Sequence, residues 1–572
     1  MQATAVNKPA DQEKLIWYFL SCWTLLNIVQ ACTLQLHPDE AYYWMYSRLP
    51  AWGYFDHPPM VAMFIRLGDS IVHNEFGLRL VNILASTASL YLLWRIAKKY
   101  NVDALRFILI TGGIFTFHIY GFITTPDGPL LFFTVLFFYF YRKYLAKDGL
   151  LPAIILGLVV GGLLYSKYHA VLLIGFTVLA NIKILTRWSF WVIVLLATGL
   201  YLPHIMWQVN NDYPSLAYHL SDRSARSYQI DYTLVYFLSQ TLMAGPLIGW
   251  FLFYKSATVR IKDAFTRVLL VNAIGIILFF LITSIRGEVQ PQWTIIALAA
   301  IVLLVMIRFG QDAKVPAWFN RVAIANMAIL VTIRLLVLSS LPFVEHIAAM
   351  DRFFHKKEWA QTIHQKVGDN YLVMNTGFQE PARYNFYTNT LKGFSYDSRY
   401  YRLTQFEIWP LEDSIQHKRV YYLASSPMPG ITKDTIKTAD GDYFGVWVDD
   451  VRTYQKVNFV SGIKKMVSSP GKQFQIRLSV TNPYNHRISF TNTGYKMHVF
   501  LEACFVQGDA EVKVEPAGDD FHNINLKPGE TTSYVFNLTA PDKKGVYDLM
   551  FSLRTGPFQG SKNGRVINIS VE

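Results

Sequence analysis

The sequence predicts a polytopic α-helical membrane protein of about eleven spans, followed by an extracytoplasmic α/β segment and a β-sandwich. Three observations predict it. Charged residues make up only 16% of the 572 residues, where a soluble domain carries about 25%. Apolar runs of bilayer length recur through the first three fifths of the chain. Beyond them, apolar and polar residues alternate in short stretches separated by turn residues.

The apolar runs are Leu15–Leu36, Leu78–Ala97, Ala104–Ile123, Leu130–Leu145, Leu151–Tyr165, Ala170–Ile184, Trp188–Trp207, Tyr232–Tyr254, Val268–Ile285, Trp293–Ile307 and Val322–Leu341. Each lies near the roughly 20 residues that a helix needs to cross a bilayer. The fifth and sixth are short and read equally well as a broken pair. Lys8 and Lys14 precede the first run and no small-residue cleavage site follows it, so it is expected as a retained span. Basic residues cluster in alternate loops: Arg95, Lys98, Lys99 and Arg106; Arg142, Lys143 and Lys147; Lys183 and Arg187; Lys255, Arg260, Lys262 and Arg267; Arg308, Lys314 and Arg321. The positive-inside bias makes these loops cytoplasmic. The N-terminus is then cytoplasmic, and an odd number of spans sends everything after Leu341 to the outside. The same loops account for a net charge of +13. No basic stripe interleaved with aromatics is present, so no nucleic-acid partner is expected. Three cysteines, Cys22, Cys32 and Cys504, exclude a disulfide framework and a cysteine zinc site.

The sequence divides into a membrane domain over 1–342, an α/β segment over 343–450 and a sandwich over 451–572. The middle segment has a helix-like amphipathic piece near Arg352–Val367 and short strands in "YLVMN" and "RVYYLAS". The last segment alternates through "QFQIRLSVTNPYN", "AEVKVEPAG", "TTSYVFNLTAP" and "GVYDLMFSLRTG", a spacing that suggests an immunoglobulin-like sandwich.

With this topology five unusual polar stretches fall on the outer side. They are "LHPDEAYYWMYSRLPAWGYFDHPPM" from Leu36, "TTPDGP" from Thr124, "YSKYH" from Tyr165, "LPHIMWQ" from Leu202 and "IRGEVQPQW" from Ile285. Convergence on one face is what a site at the membrane surface requires. Asp39 and Glu40 follow the first span directly, braced by Pro38 and the aromatic run after them. A carboxylate held rigidly there suits a general base, and carboxylates at a bilayer margin are costly unless used. Asp127 supplies a further acid. Asp39 and Asp127 together would either hold a hard divalent cation such as Mg or Mn through oxygen ligands, or act without metal as base and acceptor ligand. Lys167 suits a phosphate clamp, since charge developing on a departing phosphate needs cationic stabilisation. His57, His169, His204, Arg79 and Arg286 are further candidates for that charge.

The ordered set "PDEAYYW", "GYFDHPPMVA", "FGLRLVN", "TTPDGPLLFF", "LLYSKYHAVLL" and "YLPHIMWQVNN" resembles the GT-C glycosyltransferases of the protein O-mannosyltransferase type. The nearest subgroup in pattern contains the bacterial lipid A aminoarabinose transferases and lipopolysaccharide-core glycosyltransferases. The resemblance covers about the first two thirds of the chain. It implies a GT-C fold in a bacterial inner membrane, and transfer of a sugar from a polyprenyl-phosphate donor to a glycolipid, glycan or protein acceptor on the periplasmic face, with inversion. Residue by residue it implies Asp39 as base, with Glu40 and Asp127 orienting it, the acceptor or a metal. His57, Pro58 and Pro59 match the His-Pro-Pro element of the mannosyltransferase branch. That element is followed there by a lysine this sequence lacks, with Met63 in the vicinity. Donor-phosphate binding therefore falls to Lys167 or Arg79, with His57. Two rival readings remain: a transporter or flippase for a lipid-linked sugar, and a non-catalytic anchor for the external sandwich.

Overall fold

The computed structural model describes residues 9–219, 228–312, 315–338, 342–508 and 510–572. Lys8, Lys314 and Leu341 lie outside the described residues. The chain divides into two compact units, Met1–Phe354 and His355–Glu572.

The first unit is helical. Its leading elements are α1 (Pro9–Thr33), α2 (Pro38–Arg48), α3 (Met60–Asp69), α4 (Glu75–Ala97), α5 (Ala104–Thr111), α6 (Phe115–Tyr120), α7 (Asp127–Ala146), α8 (Leu150–Ser166), α9 (Ala170–Ala180) and α10 (Trp188–Asn210). Among the described residues six helices are long and apolar enough to cross a membrane, and a bent pair makes a seventh. The protein is a multi-pass membrane protein. The helix Pro291–Gln311 has 89% of its apolar window buried, against 22% for Trp188–Asn210 and for Ala317–Leu338. A helix apolar all round belongs inside, so Pro291–Gln311 runs through the core and the other two turn most of their surface outward.

Of the expected spans, two form the shorter apolar helices Leu150–Ser166 and Ala170–Ala180, and two are broken. The run Ala104–Ile123 breaks at Gly112 and Gly113 into α5 and α6. The run Tyr232–Tyr254 becomes Ile230–Ala244 and Gly249–Ala257, bent by 92°. Both breaks meet one side chain. Asn326, fully buried, donates through Nδ2 to the Gly113 carbonyl at 2.9 Å and accepts the Leu247 N–H through Oδ1 at 2.9 Å. Gly245 has φ +134°, and a Cβ there would stand 2.7 Å from the Gly113 carbonyl. The glycines thus let two broken backbones approach, and the asparagine satisfies polar groups that the breaks expose.

The second unit opens with the helix Lys356–Val367 and a five-stranded mixed sheet. Strand Tyr371–Met374 pairs in parallel with Gly393–Ser395 on one side and Val420–Ala424 on the other. Strands Gly441–Val448 and Asp434–Thr438 complete it in antiparallel register. Two further sheets then face each other. In one, Val499–Gln507 pairs with Gly545–Thr555; in the other, Gln473–Thr481 pairs with Thr531–Thr539. Alternate residues, among them Ile476, Leu478, Val480, Phe536, Leu501, Phe505, Phe551 and Leu553, point into one shared core. The period-2 pattern of the sequence is this inward-facing set.

Candidate active site

The site is built around the segment between α1 and α4. His37 caps α2: its side chain accepts the Asp39 N–H, and Glu40 reaches back to the His37 N–H at 3.0 Å. Pro38 at the first helical position has no N–H to lose there. This capping box fixes where Asp39 and Glu40 point, and the two carboxylates have opposite fates. The Asp39 side chain is 37% exposed, whereas that of Glu40 is fully buried.

Glu40 is consumed by the scaffold. Arg79 of α4 donates to it twice, Nε to Oε1 at 2.9 Å and Nη2 to Oε2 at 2.7 Å. Its remaining acceptor capacity takes the Thr124 N–H at 2.9 Å and the His37 N–H. The other three Arg79 protons go to the carbonyls of Ala31, Leu34 and Gln35. All five guanidinium donors are committed, and Arg79 is fully buried. Glu40 and Arg79 together form a strut. Its hydrogen bonds commit every Arg79 donor inside the fold, while Glu40, through the cap, orients the helix that carries Asp39. The strut ties the C-terminal end of α1, the start of α2 and the loop before Asp127 into one piece.

Asp127 opens α7. Lys167, between α8 and α9, donates to its Oδ1 at 2.7 Å, and Thr125 Oγ1 lies 3.5 Å from Oδ2. The side chains of this pair are 4% and 5% exposed. Asn82 of α4 donates to the Tyr120 and Ile123 carbonyls and so shapes the preceding turn. A Cβ on Gly128 would lie 1.9 Å from Asn82 Oδ1, so that position needs glycine.

The third acid is Asp56, 5% exposed, which accepts from the Tyr46 hydroxyl at 3.1 Å. Its loop is held from outside by three donors. His204 Nδ1 donates to the Trp52 carbonyl at 2.7 Å, Ser215 to the Tyr54 carbonyl at 3.0 Å and His219 Nε2 to the Asp56 carbonyl at 3.1 Å. His204 is thereby a structural residue. His57 is partly buried, its ring centred 5.8 Å from Tyr43 and 6.2 Å from His219.

Tyr43 sits at the centre of this arrangement. Burial, reinforced by the carboxylates of Asp39, Asp56 and Asp127, pushes its hydroxyl well above the ordinary phenol range. All three acids therefore act electrostatically on one buried tyrosine. Four of the five polar stretches are joined by hydrogen bonds: Glu40 to Thr124, Lys167 to Asp127, and His204 to Trp52. The fifth joins through Trp293, whose ring stands 5.2 Å from that of His169. Arg286 is exposed. Sequence reasoning did not assign Asp56 or Tyr43; the acid of "DHPP" was the signal for one, and nothing in the pattern marked the other.

The donor set does not fit a resident divalent cation. Among the described residues no three His, Cys, Asp or Glu side chains are grouped to hold one. Of the two carboxylates expected as ligands, Asp127 already faces the Lys167 ammonium at 2.7 Å. A metal placed there would sit against a fixed positive charge.

Comparison with known proteins follows the same lines. Residues 56–207 match the dolichyl-phosphate-mannose-protein mannosyltransferase family. A lipid A galacturonosyltransferase of Rhizobium johnstonii is 21% identical over 307 residues, covering 50% of this chain. That match spans 64% of the relative's own length. The crystal structure of ArnT from Cupriavidus metallidurans in the apo state superposes with a TM-score of 0.55 at 14% identity, over 76% of this chain and 98% of ArnT. The same protein bound to undecaprenyl phosphate gives 0.53 at 14% identity, over 75% of this chain and 97% of ArnT. Residues 56–207 are thus similar to the mannosyltransferase family, and the fold is similar to that of ArnT.

Proposed function

We propose that the protein transfers a sugar from a polyprenyl-phosphate donor to a glycolipid, glycan or protein acceptor at the outer face of a bacterial inner membrane, with inversion. The buried Lys167–Asp127 pair, whose segment is tied by the Thr124–Glu40 hydrogen bond to the helix that carries the more exposed Asp39, is the observation that carries this reading. Asp39 is the carboxylate an acceptor can reach, and it takes the proton of the attacking hydroxyl or amine. The acceptor atom bonds to the anomeric carbon from the side opposite the phosphate. The bond from that carbon to the phosphate oxygen breaks, and polyprenyl phosphate leaves with the electron pair. Lys167 stabilises the charge growing on the phosphate, Asp127 holds Lys167 in place, and His57 is a further donor to that phosphate. A lipid A galacturonosyltransferase relative and a fold-mate that binds undecaprenyl phosphate support this donor class. The basic loops support a cytoplasmic N-terminus and an external C-terminal unit. For the domain organisation we propose catalysis in 1–342, with 343–450 and 451–572 as α/β and sandwich parts.

One observation favours a second reading, a flippase for the same lipid-linked sugar. The unit has two broken helices, and a buried arginine, Arg334, bonded to Gln30 and Asn27 of α1. Transporters carry such features near the bilayer midplane.

Purified protein and its Asp39→Asn variant, given a polyprenyl-phosphate sugar and crude envelope glycolipids, decide between the two. Release of polyprenyl phosphate coupled to sugar transfer by the parent, and a loss of at least a hundredfold in the variant, is expected. Equal turnover by both overturns Asp39 as base. Donor translocation in vesicles without bond cleavage, by parent and variant alike, selects the flippase.

A further inference from the structure

The second unit contains a cavity of about 260 Å³ lined by Asp413, Gln416, His417, Tyr454, His486 and Arg487. It belongs to none of the elements that build the catalytic site, and its walls divide into a rigid part and an adaptable part. Gln416 is fixed: its amide donates to the Thr453 carbonyl and hydroxyl and accepts the Thr453 N–H. Tyr454 is 7% exposed, donates to the Ser489 carbonyl at 2.8 Å and is braced edge-on by Phe490. Around this floor stand four exposed polar side chains, those of Asp413, His417, His486 and Arg487.

Two details mark the cavity as built to receive something. His417 and Asp450 both adopt left-handed backbone, with φ 55° and 52°, and their side chains bond to each other, Nδ1 to Oδ1 at 2.8 Å. Such backbone costs about 1 kcal/mol or more per residue and persists where the surroundings impose it. Here it sets a histidine whose ring orientation is held by a carboxylate, as at many binding sites. The second detail is the mixture of charge. Arg487 offers donors to an anion and Asp413 repels one, while His417 and His486, whose Nδ1 atoms face Asp450 and Asn485, leave Nε2 to a ligand. A bare inorganic anion gains little from such a pocket. A ligand bearing both an anionic group and hydroxyls satisfies this mixture: the anion takes Arg487, and hydroxyl protons go to Asp413 and to the histidine Nε2 atoms.

We propose that this cavity is a binding site for a phosphorylated saccharide, separate from the transfer centre. The inference stands independently of the transfer reaction, since it uses none of its residues.

The test uses full-length protein in detergent micelles and ligand-observed NMR or calorimetry. The probes are glucosamine 1-phosphate, glucosamine and inorganic phosphate, with lipid A in mixed micelles as the lipid-borne arm. The sugar phosphate should bind saturably and at least tenfold more tightly than glucosamine or phosphate alone. Arg487→Ala should weaken it at least tenfold, and His417→Ala by a lesser factor. Asp39→Asn should leave it unchanged, which separates this site from the catalytic one. Both cavity substitutions are of exposed side chains, and an unchanged melting temperature shows that the variants fold. If lipid A competes with the sugar phosphate, the natural source is a lipid headgroup; if it does not, the source is a soluble saccharide. Binding of inorganic phosphate as tight as that of the sugar phosphate, or affinity unaltered in Arg487→Ala, overturns the proposal.

Discussion

At the scale of single residues, the site separates charges that hold the fold from charges left for chemistry. Glu40 and Arg79 satisfy each other and the backbone completely. Lys167 and Asp127 form a buried pair in which each partner keeps capacity for a ligand. Burying an ion pair gains little net stability, but removing one partner strands the other charge. Lys167→Met should therefore lower stability by about 3–5 kcal/mol and abolish transfer. The double variant Asp127→Asn with Lys167→Met should recover most of the stability and none of the transfer. Thermal unfolding of the detergent-solubilised proteins checks this, because a purely catalytic lysine would leave the midpoint of the single variant unmoved. From the sequence, the positions of these four charged residues were legible and their pairings were not. Arg79 and Lys167 are both cations near an outer-face acid. Only geometry shows that one has five committed donors and the other one contact.

At the scale of elements, the apolar runs were legible as membrane segments, and their continuity was not. Hydropathy averages over a window, so Gly112–Gly113 inside a strongly apolar stretch does not register, and Gly245 with Pro246 reads as a kink in one span. What decides the break is a distant residue, Asn326, whose partners lie more than seventy positions away in both cases. Asn326→Leu keeps the volume and removes both bonds, leaving a buried carbonyl and a buried N–H unsatisfied. Each costs about 1–3 kcal/mol. The variant should unfold at clearly lower temperature and expose the 245–248 bend to protease in the folded protein. An unchanged melting midpoint would mean that the breaks are fixed by their glycines alone. By contrast, strand alternation in the second unit was read correctly because a half-buried sheet has period 2 whatever it packs against.

At the scale of the whole molecule, the two compact units place their buried charge differently. In the first, Glu40 and Asp127 are offset by Arg79 and Lys167. In the second, burial raises the carboxyls of Glu380, Asp397, Glu407 and Glu412 above their ordinary range. Glu407 is pushed up to about 7, and it joins the α/β part to the sandwich part by accepting from Gln455 at 3.0 Å. Glu412 makes the same connection, accepting from Tyr484 at 2.6 Å and from the Gln455 N–H. For an acid raised on folding, the folded state keeps its proton where the unfolded chain has lost it. Stability therefore falls as pH rises from about 4.5, the ordinary glutamate value, to about 7, and is level above that. The Glu407 contribution is at most about 3 kcal/mol. Glu412, Asp397 and Glu380 act in the same direction. The expected result is a melting midpoint that declines between pH 5 and 7 in the parent, followed by tryptophan fluorescence of the full chain. The decline should become shallower in Glu407→Gln, which cannot ionise. A midpoint that instead rises over this interval would mean that these carboxyls are ionised and paired in the folded protein. A slope unchanged in the variant would assign the titration to the other three acids.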